Sequence, residues 1–292
     1  MKIHHFAMSM AFLAVTAYSI PSVHAQESTA PAKDAKPSAD GKKTASPQPA
    51  EQPMGLNVDI QVASAYVFRG LNVFQKDGQM NQNFLGAPGI SWAIRDTGIT
   101  VGYWGAWQLT GDNRSDNTDN AVNMEQDLYV SYEKKISNAL SLKGLATLYF
   151  MPFADIPDIS VPAWIEPAVS VTYNHSMVTL GLSASYFFGI QSDAFIRDTS
   201  YLYINPMASK TVKISKQAVN VKVGYGYKQF KAGNDQMSNV HDVIVAVDTS
   251  FAFGSFYVKP GLSAAWTNIE GPDATFSDGF VVWGSVSIGM DK

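Results

Sequence analysis

The sequence predicts an all-β fold, a transmembrane antiparallel up-and-down β-barrel of about twelve strands. Three observations predict it. Apolar residues alternate with small and polar ones at period two through most of the chain after Leu56, the pattern of a strand with two unlike faces. The connections between these runs are short and long by turns, as in barrels that join strands tightly on one side of a membrane and loosely on the other. Beyond the N-terminus no apolar run reaches the roughly eighteen residues of a spanning helix, and mean hydropathy is near neutral at −0.05.

The first residues read as an export signal. Lys2 precedes an apolar run over 6–20, and Val23-His24-Ala25 fits cleavage after Ala25. A signal peptide is expected over 1–25; the alternative, an uncleaved anchor, is poorly served by so short a run. Residues 26–54 are rich in Ala, Pro, Lys, Ser and Gln and cannot bury enough apolar surface to offset the entropy of ordering. A disordered periplasmic tail is expected there, with Lys33, Lys36, Lys42 and Lys43 as solubilising charge or as a contact to peptidoglycan. The barrel is expected over 55–292. Cysteine is absent, which excludes a disulfide framework and a lipidated cysteine after the signal. A net charge of −4 without a basic patch excludes a nucleic-acid partner.

Strands are expected near 56–69, 84–94, 99–110, 123–133, 139–151, 161–173, 177–190, 200–212, 218–229, 241–251, 255–266 and 279–290. In the third, Ile99, Val101, Tyr103 and Trp107 fall on one face and Thr100, Gly102, Ala106 and Gln108 on the other. Leu140, Leu142, Ala146 and Leu148 alternate likewise with Ser141, Lys143, Thr147 and Tyr149. Val219, Val221, Val223, Tyr225 and Tyr227 alternate with Asn220, Lys222, Gly224 and Gly226. Short turns fall near 95–98, 134–138, 174–176, 213–217 and 252–254, and every other connection is longer. An even strand count with both termini on the periplasmic side follows.

Aromatic residues cluster near strand ends, among them Tyr66, Phe68, Trp107, Trp164, Phe187, Phe188, Phe251 and Trp266, as interfacial girdles require. A secreted soluble sandwich or lipocalin-like barrel is the competing fold, but its inner face would be the apolar one and its loops need not alternate. Pro88, Pro167, Pro206 and Pro260 lie inside expected strands and open similar tetrapeptides, which suggests bulges at some of these sites.

Alternation assigns charged residues to the lumen. Asp59, Glu125, Asp127, Glu133, Glu166, Asp242 and Asp248 are set against Arg69, Lys143, Lys222, Lys228 and Lys259, a near balance that argues against strong selectivity. Mirroring about the turn at 252–254 pairs Asp248 with Lys259 across adjacent strands, an ion pair that can brace the interior. Beyond the signal segment the only histidines are His175, in a tight turn, and His241, followed by Asp242 at a strand end. An outer-membrane hydrolase built on His241 and Asp242 is therefore one functional alternative, but no nucleophile motif accompanies either histidine and both also read as solvated. The Asp/Asn-rich stretch 112–120 lacks the spacing and central glycine of a calcium loop, and neither a metal nor a cofactor is expected.

The element Ala63-Ser64-Ala65-Tyr66-Val67-Phe68-Arg69-Gly70 resembles the Ser-x-Tyr-x-x-Arg-Gly element of the TorF porin family, with Ser64, Tyr66, Arg69 and Gly70 matching. Val101-Gly102-Tyr103-Trp104-Gly105-Ala106-Trp107 is similar to that family's Gly- and aromatic-rich third strand. The resemblance implies an outer-membrane barrel with pore activity. One departure concerns the end of the chain: barrels of this class usually finish on an aromatic residue read during assembly, whereas this chain ends Ile288-Gly289-Met290-Asp291-Lys292. Met290 stands in for it, or an internal strand is read instead. The expected function is passive diffusion of small hydrophilic solutes; the alternatives are the hydrolase and a plugged structural or adhesive barrel. Expected partners are outer-membrane lipid and lipopolysaccharide, the barrel-assembly machinery and the solutes themselves.

Overall fold

Branched and aromatic side chains at every second position favour extended backbone, and extended segments satisfy their main-chain groups only by pairing. The computed structural model describes residues 55–73, 84–110, 124–152, 163–190, 200–230, 240–268 and 279–292. The signal segment, the 26–54 tail and the 112–120 stretch lie outside them. The strands are β1 (Leu56–Ala63), β2 (Val67–Phe68), β3 (Leu71–Asn72), β4 (Leu85–Ile94), β5 (Ile99–Gln108), β6 (Met124–Lys135), β7 (Leu140–Phe150), β8 (Ala163–Asn174), β9 (Thr179–Gly189), β10 (Tyr201–Ile214), β11 (Gln217–Phe230), β12 (Val240–Thr249), β13 (Phe251–Phe253), β14 (Phe256–Thr267) and β15 (Gly279–Asp291).

Apart from β2 and β3, each strand pairs antiparallel with its neighbours in sequence, and β15 returns to pair with β1. The sheet therefore closes on itself and has no free edge. β12 and β13 are one strand in space. Asp248 pairs with Gly261 and Phe251 with Val258 in the same register, so the barrel has twelve strands. The interruption lies opposite Pro260, which has no N–H to give.

The other internal prolines behave in the same way. The β4–β5 register resumes unchanged past Pro88, from Gly86 opposite Trp107 to Gly89 opposite Trp104. It does so past Pro167 between β8 and β9, and past Pro206 between β10 and β11. No residue is inserted, so these sites are gaps in one ladder rather than the bulges the sequence suggested. The opposite edge of each proline stays paired, as with Pro88 against Ile60 and Pro206 against Leu182.

One end of the barrel carries the short turns. Ser215, at φ 58, opens the two-residue link from β10 to β11, and Gly254, at φ 65, opens the link to β14. The strand ends that flank the longer connections lie at the other end. Alternation divides the wall into two faces. Val58, Ile60, Val101, Leu128, Val130, Leu142, Val169, Val221, Val223 and Val245 point outward and are exposed, whereas Ala87, Ala106, Glu125, Thr147, Glu166 and Asp242 point inward and are buried.

The first expected strand, 56–69, is corrected. β1 stops at Ala63, where Ser64 N–H donates to the Gly284 carbonyl and the Gly284 N–H to Ser64 Oγ. Beyond it, residues 64–73 turn inward as a small hairpin. β2 and β3 pair only with each other, Val67 opposite Asn72 and Phe68 opposite Leu71. Arg69, at φ 45, and Gly70, at φ 86, make the turn, and two successive positive φ values are what a tight two-residue hairpin of matching twist requires. Alternation cannot separate this hairpin from a wall strand, because Tyr66 and Phe68 continue the period-two pattern of β1.

Candidate functional site: the barrel lumen

The hairpin fills the long-loop half of the lumen. Ala65, Tyr66, Phe68, Arg69, Leu71, Asn72 and Val73 are all buried. An added Cβ on Gly70 would come within 2.6 Å of the Asp242 Cβ and 3.0 Å of the Thr267 Cβ, so the turn is pressed against β12 and β14. Around it packs an aromatic belt from the wall. Tyr149 and Trp164 lie against Phe187, which continues to Tyr201 and Phe230 at ring spacings of 5.1 to 6.0 Å.

Arg69 is the centre of this half. Its guanidinium pairs with the Glu166 carboxylate on β8, donates to the Tyr201 hydroxyl at 2.6 Å and reaches Ser185 Oγ at 3.4 Å. It also lies over the rings of Tyr203 (4.1 Å), Phe68 (4.5 Å) and Tyr201 (5.2 Å). The second Glu166 oxygen accepts from the Tyr149 hydroxyl at 2.7 Å. From β11, Lys228 donates to the Arg69 carbonyl at 2.6 Å and sits 3.7 Å from Asp242, which accepts from the Tyr203 hydroxyl at 3.2 Å. Tyr66 donates to Glu125 at 3.2 Å. Asp127, two residues along the same face of β6, is buried beside Glu125, so two carboxyls share this part of the lumen.

The short-turn half is more open. Asp248 and Lys259 are 3.4 Å apart, each side chain roughly a third exposed, so the pair expected from the sequence forms. It forms diagonally, since Gly261 is the residue directly opposite Asp248. Asn220 donates to Asp248 at 3.0 Å. Lys143 faces Glu133 across β6 and β7, and Lys222 lies on the same inward face of β11 as Asn220. Asp59 has glycine on both flanks, Gly89 on β4 and Gly289 on β15. Tyrosine rings cover the bare backbone of this half, Tyr257 at Gly289 and Tyr129 at Gly102.

Sequence reasoning therefore put Asp59, Glu125, Asp127, Lys143, Glu166, Lys222, Asp248 and Lys259 on the inward face, where the wall carries them. Arg69 is inward too, but from the hairpin and not from a strand. The balance of acids and bases conceals a segregation along the axis. Glu125, Asp127, Glu166 and Asp242 lie with Arg69 and Lys228 in the long-loop half, while Asp59, Glu133 and Asp248 lie with Lys143, Lys222 and Lys259 in the other. The partners Tyr66, Tyr149, Tyr201 and Tyr203 were not singled out as site residues. The one local signal for their arrangement was Arg69-Gly70 between Val67-Phe68 and Leu71-Asn72, which fits a two-residue turn as well as a strand end.

His241 and Asp242 are not brought together. Successive strand residues face opposite sides, so His241 points outward against Tyr225 and Tyr227, with its Nδ1 2.5 Å from the Tyr225 hydroxyl, while Asp242 is buried inside. His175 lies exposed in the β8–β9 turn, where its Nδ1 accepts from the Met177 N–H at 3.3 Å.

A family model described as "Bacterial protein of unknown function (Gcw_chp)" matches residues 47–287. A search of curated proteins gives no match. Among solved structures, an outer-membrane channel from Pseudomonas putida F1 aligns with a TM-score of 0.52 at 9% identity, covering 84% of this chain and 99% of that one. The NanC porin aligns at 0.49 and 11% identity, covering 80% and 99%, and the KdgM porin at 0.47 and 11%, covering 80% and 98%. At these identities the likeness is one of fold: a closed barrel of the outer-membrane type.

Proposed function

This chain belongs to the Gcw_chp family of bacterial proteins, and we propose that it is an outer-membrane channel of the porin type, passing small hydrophilic solutes by passive diffusion. The observation that carries this reading is the opposition of the two wall faces. An outward face of exposed Val, Leu and Ile would be costly in water and is at home in hydrocarbon, whereas the inward face keeps its carboxylates, lysines and hydroxyls together. The short turns then lie on the periplasmic side and the long connections outside. Lipid and lipopolysaccharide cover the outward face, and the barrel-assembly machinery inserts the chain. The Ser64, Tyr66, Arg69 and Gly70 element supports the finer placement among TorF-like porins.

Purified protein in planar bilayers is expected to give discrete conductance steps. Persistent silence across several salt concentrations would remove the channel reading. A second reading, a plugged structural or adhesive barrel, is favoured by the burial of the charged wall groups that hold the hairpin, Glu166, Lys228 and Asp242. That silence is the result it expects.

A further inference from the structure

Three features of the hairpin at 64–73 fit a displaceable element better than a permanent seal. Its strands are two residues each and join no wall strand, and so short an isolated hairpin is marginal without help from outside. Part of that help is apolar, from the cluster that holds Tyr66, Phe68, Leu71 and Val73, but at the turn it is ionic: Arg69 to Glu166, with Lys228 and Asp242 beside it, all shielded from water. Buried ion pairs stabilise less than an apolar plug of equal volume would, and switching is among their best-attested uses. Finally, the Asn72 side-chain oxygen is buried without a hydrogen-bond partner among the described residues, and Asp127 is buried beside a second carboxyl, Glu125. Such groups cost free energy while the hairpin is in place, and water entering as it withdraws relieves them.

We propose that this hairpin is the gate of the channel, with Arg69 acting both as its latch and as the counter-ion of an acidic constriction. The inference rests on the channel reading above. When the hairpin withdraws it takes Arg69 with it. The long-loop half is then lined by Glu125, Asp127, Glu166 and Asp242 against Lys228, and the open state prefers cations.

The test is single-channel recording of the full mature chain in phosphatidylcholine planar bilayers under a potassium chloride gradient. Variants are Arg69→Ala, Glu166→Gln and the double substitution Gly70→Cys/Thr267→Cys. The chain has no cysteine of its own, and the 3.0 Å between the two Cβ positions lies a small shift from disulfide reach. Arg69→Ala and Glu166→Gln are each expected to raise time-averaged conductance about tenfold, the change that ~1.4 kcal/mol makes in a two-state equilibrium. The cross-linked double variant is expected to be silent and, once dithiothreitol frees a hairpin that carries the extra Cβ at Gly70, to conduct at least as well as the wild type; open events, wild type included, are expected to show a cation-side reversal potential. Heat-modifiable gel migration shows which variants hold a folded barrel; should Arg69→Ala fail there, Glu166→Gln and the cross-link still decide. Wild-type conductance equal to that of the latch variants and indifferent to the cross-link overturns the gate while leaving the channel. A reversal potential at zero or on the anion side overturns the counter-ion role. Silence of every folded variant removes the channel itself.

Discussion

Lys228 donates a hydrogen bond to the main-chain carbonyl of Arg69 at 2.6 Å across 159 residues of sequence. The same ammonium is the cationic neighbour of Asp242, at 3.7 Å. One wall lysine thus caps the turn of the hairpin and offsets a fully buried carboxylate. Removing it leaves both demands unmet.

Lys228→Met is accordingly expected to destabilise the folded barrel by about 3 to 5 kcal/mol, because an uncompensated charge remains at Asp242. Lys228→Met with Asp242→Leu is expected to recover most of that loss, since the apolar pair leaves no buried charge behind. Urea titration of liposome-refolded protein measures both. Equal losses in the single and double variants would show that the pair is not coupled.

Gly70→Ala adds a Cβ where the backbone is at φ +86 and where Asp242 and Thr267 already stand within 3.0 Å. The strain and the clash together are expected to cost about 1 to 3 kcal/mol. The cost falls on the hairpin and not on the wall ladder. Near-ultraviolet circular dichroism, which reports the packing of Tyr66 against Trp104 at 5.9 Å, should change while heat-modifiable migration persists.

The assignment of the two faces predicts a contrast along single strands. Val169→Arg, Val223→Arg and Val245→Arg, midway along β8, β11 and β12, are expected to cost about 2 to 4 kcal/mol each near the middle of a bilayer, and Leu142→Arg, opposite Lys134 close to the short-turn end, less. Ser141→Arg and Asn220→Lys, on inward faces, are expected to cost far less, and the second places its charge beside Asp248. Gly102 faces inward but is a poor control, because any Cβ there meets the Tyr129 ring. Refolding into liposomes followed by urea titration compares the variants, and equal penalties on the two faces would refute the orientation of the wall.

His241→Ala separates a channel from a hydrolase. Its ring contacts Tyr225 and Tyr227 on the outward face, so the substitution is expected to leave conductance unchanged and to cost no more than about 1 kcal/mol of stability. A lipid-hydrolysing activity lost in His241→Ala and present in the wild type would contradict that.

Much of this barrel was legible in one dimension. Period-two alternation and turn residues act over neighbours in sequence, so they place Val101 and Leu142 outward, Lys143 and Glu166 inward, and the short turns at one end. Register follows from the same local rules, which is why Asp248 and Lys259 could be paired from the turn between them. Prolines are the limit of such reasoning. A missing N–H opens a ladder gap at Pro88, but only the paired register on either side shows that no bulge compensates for it.

Tertiary structure alone decided where β1 ends and what residues 64–73 do. The alternation of Tyr66 and Phe68 satisfies a wall strand and an in-folded hairpin equally well, and the choice depends on partners that the chain meets only when the barrel closes. Glu166 lies 97 residues from Arg69, and Tyr201 lies 132 away. The charge segregation along the axis has the same origin, because the height of a side chain in the lumen is set by register accumulated around the whole sheet. Sequence by itself thus determined the wall and its faces; the closed sheet decided what the wall encloses, since a lumen is a property of twelve strands together and of none of them alone.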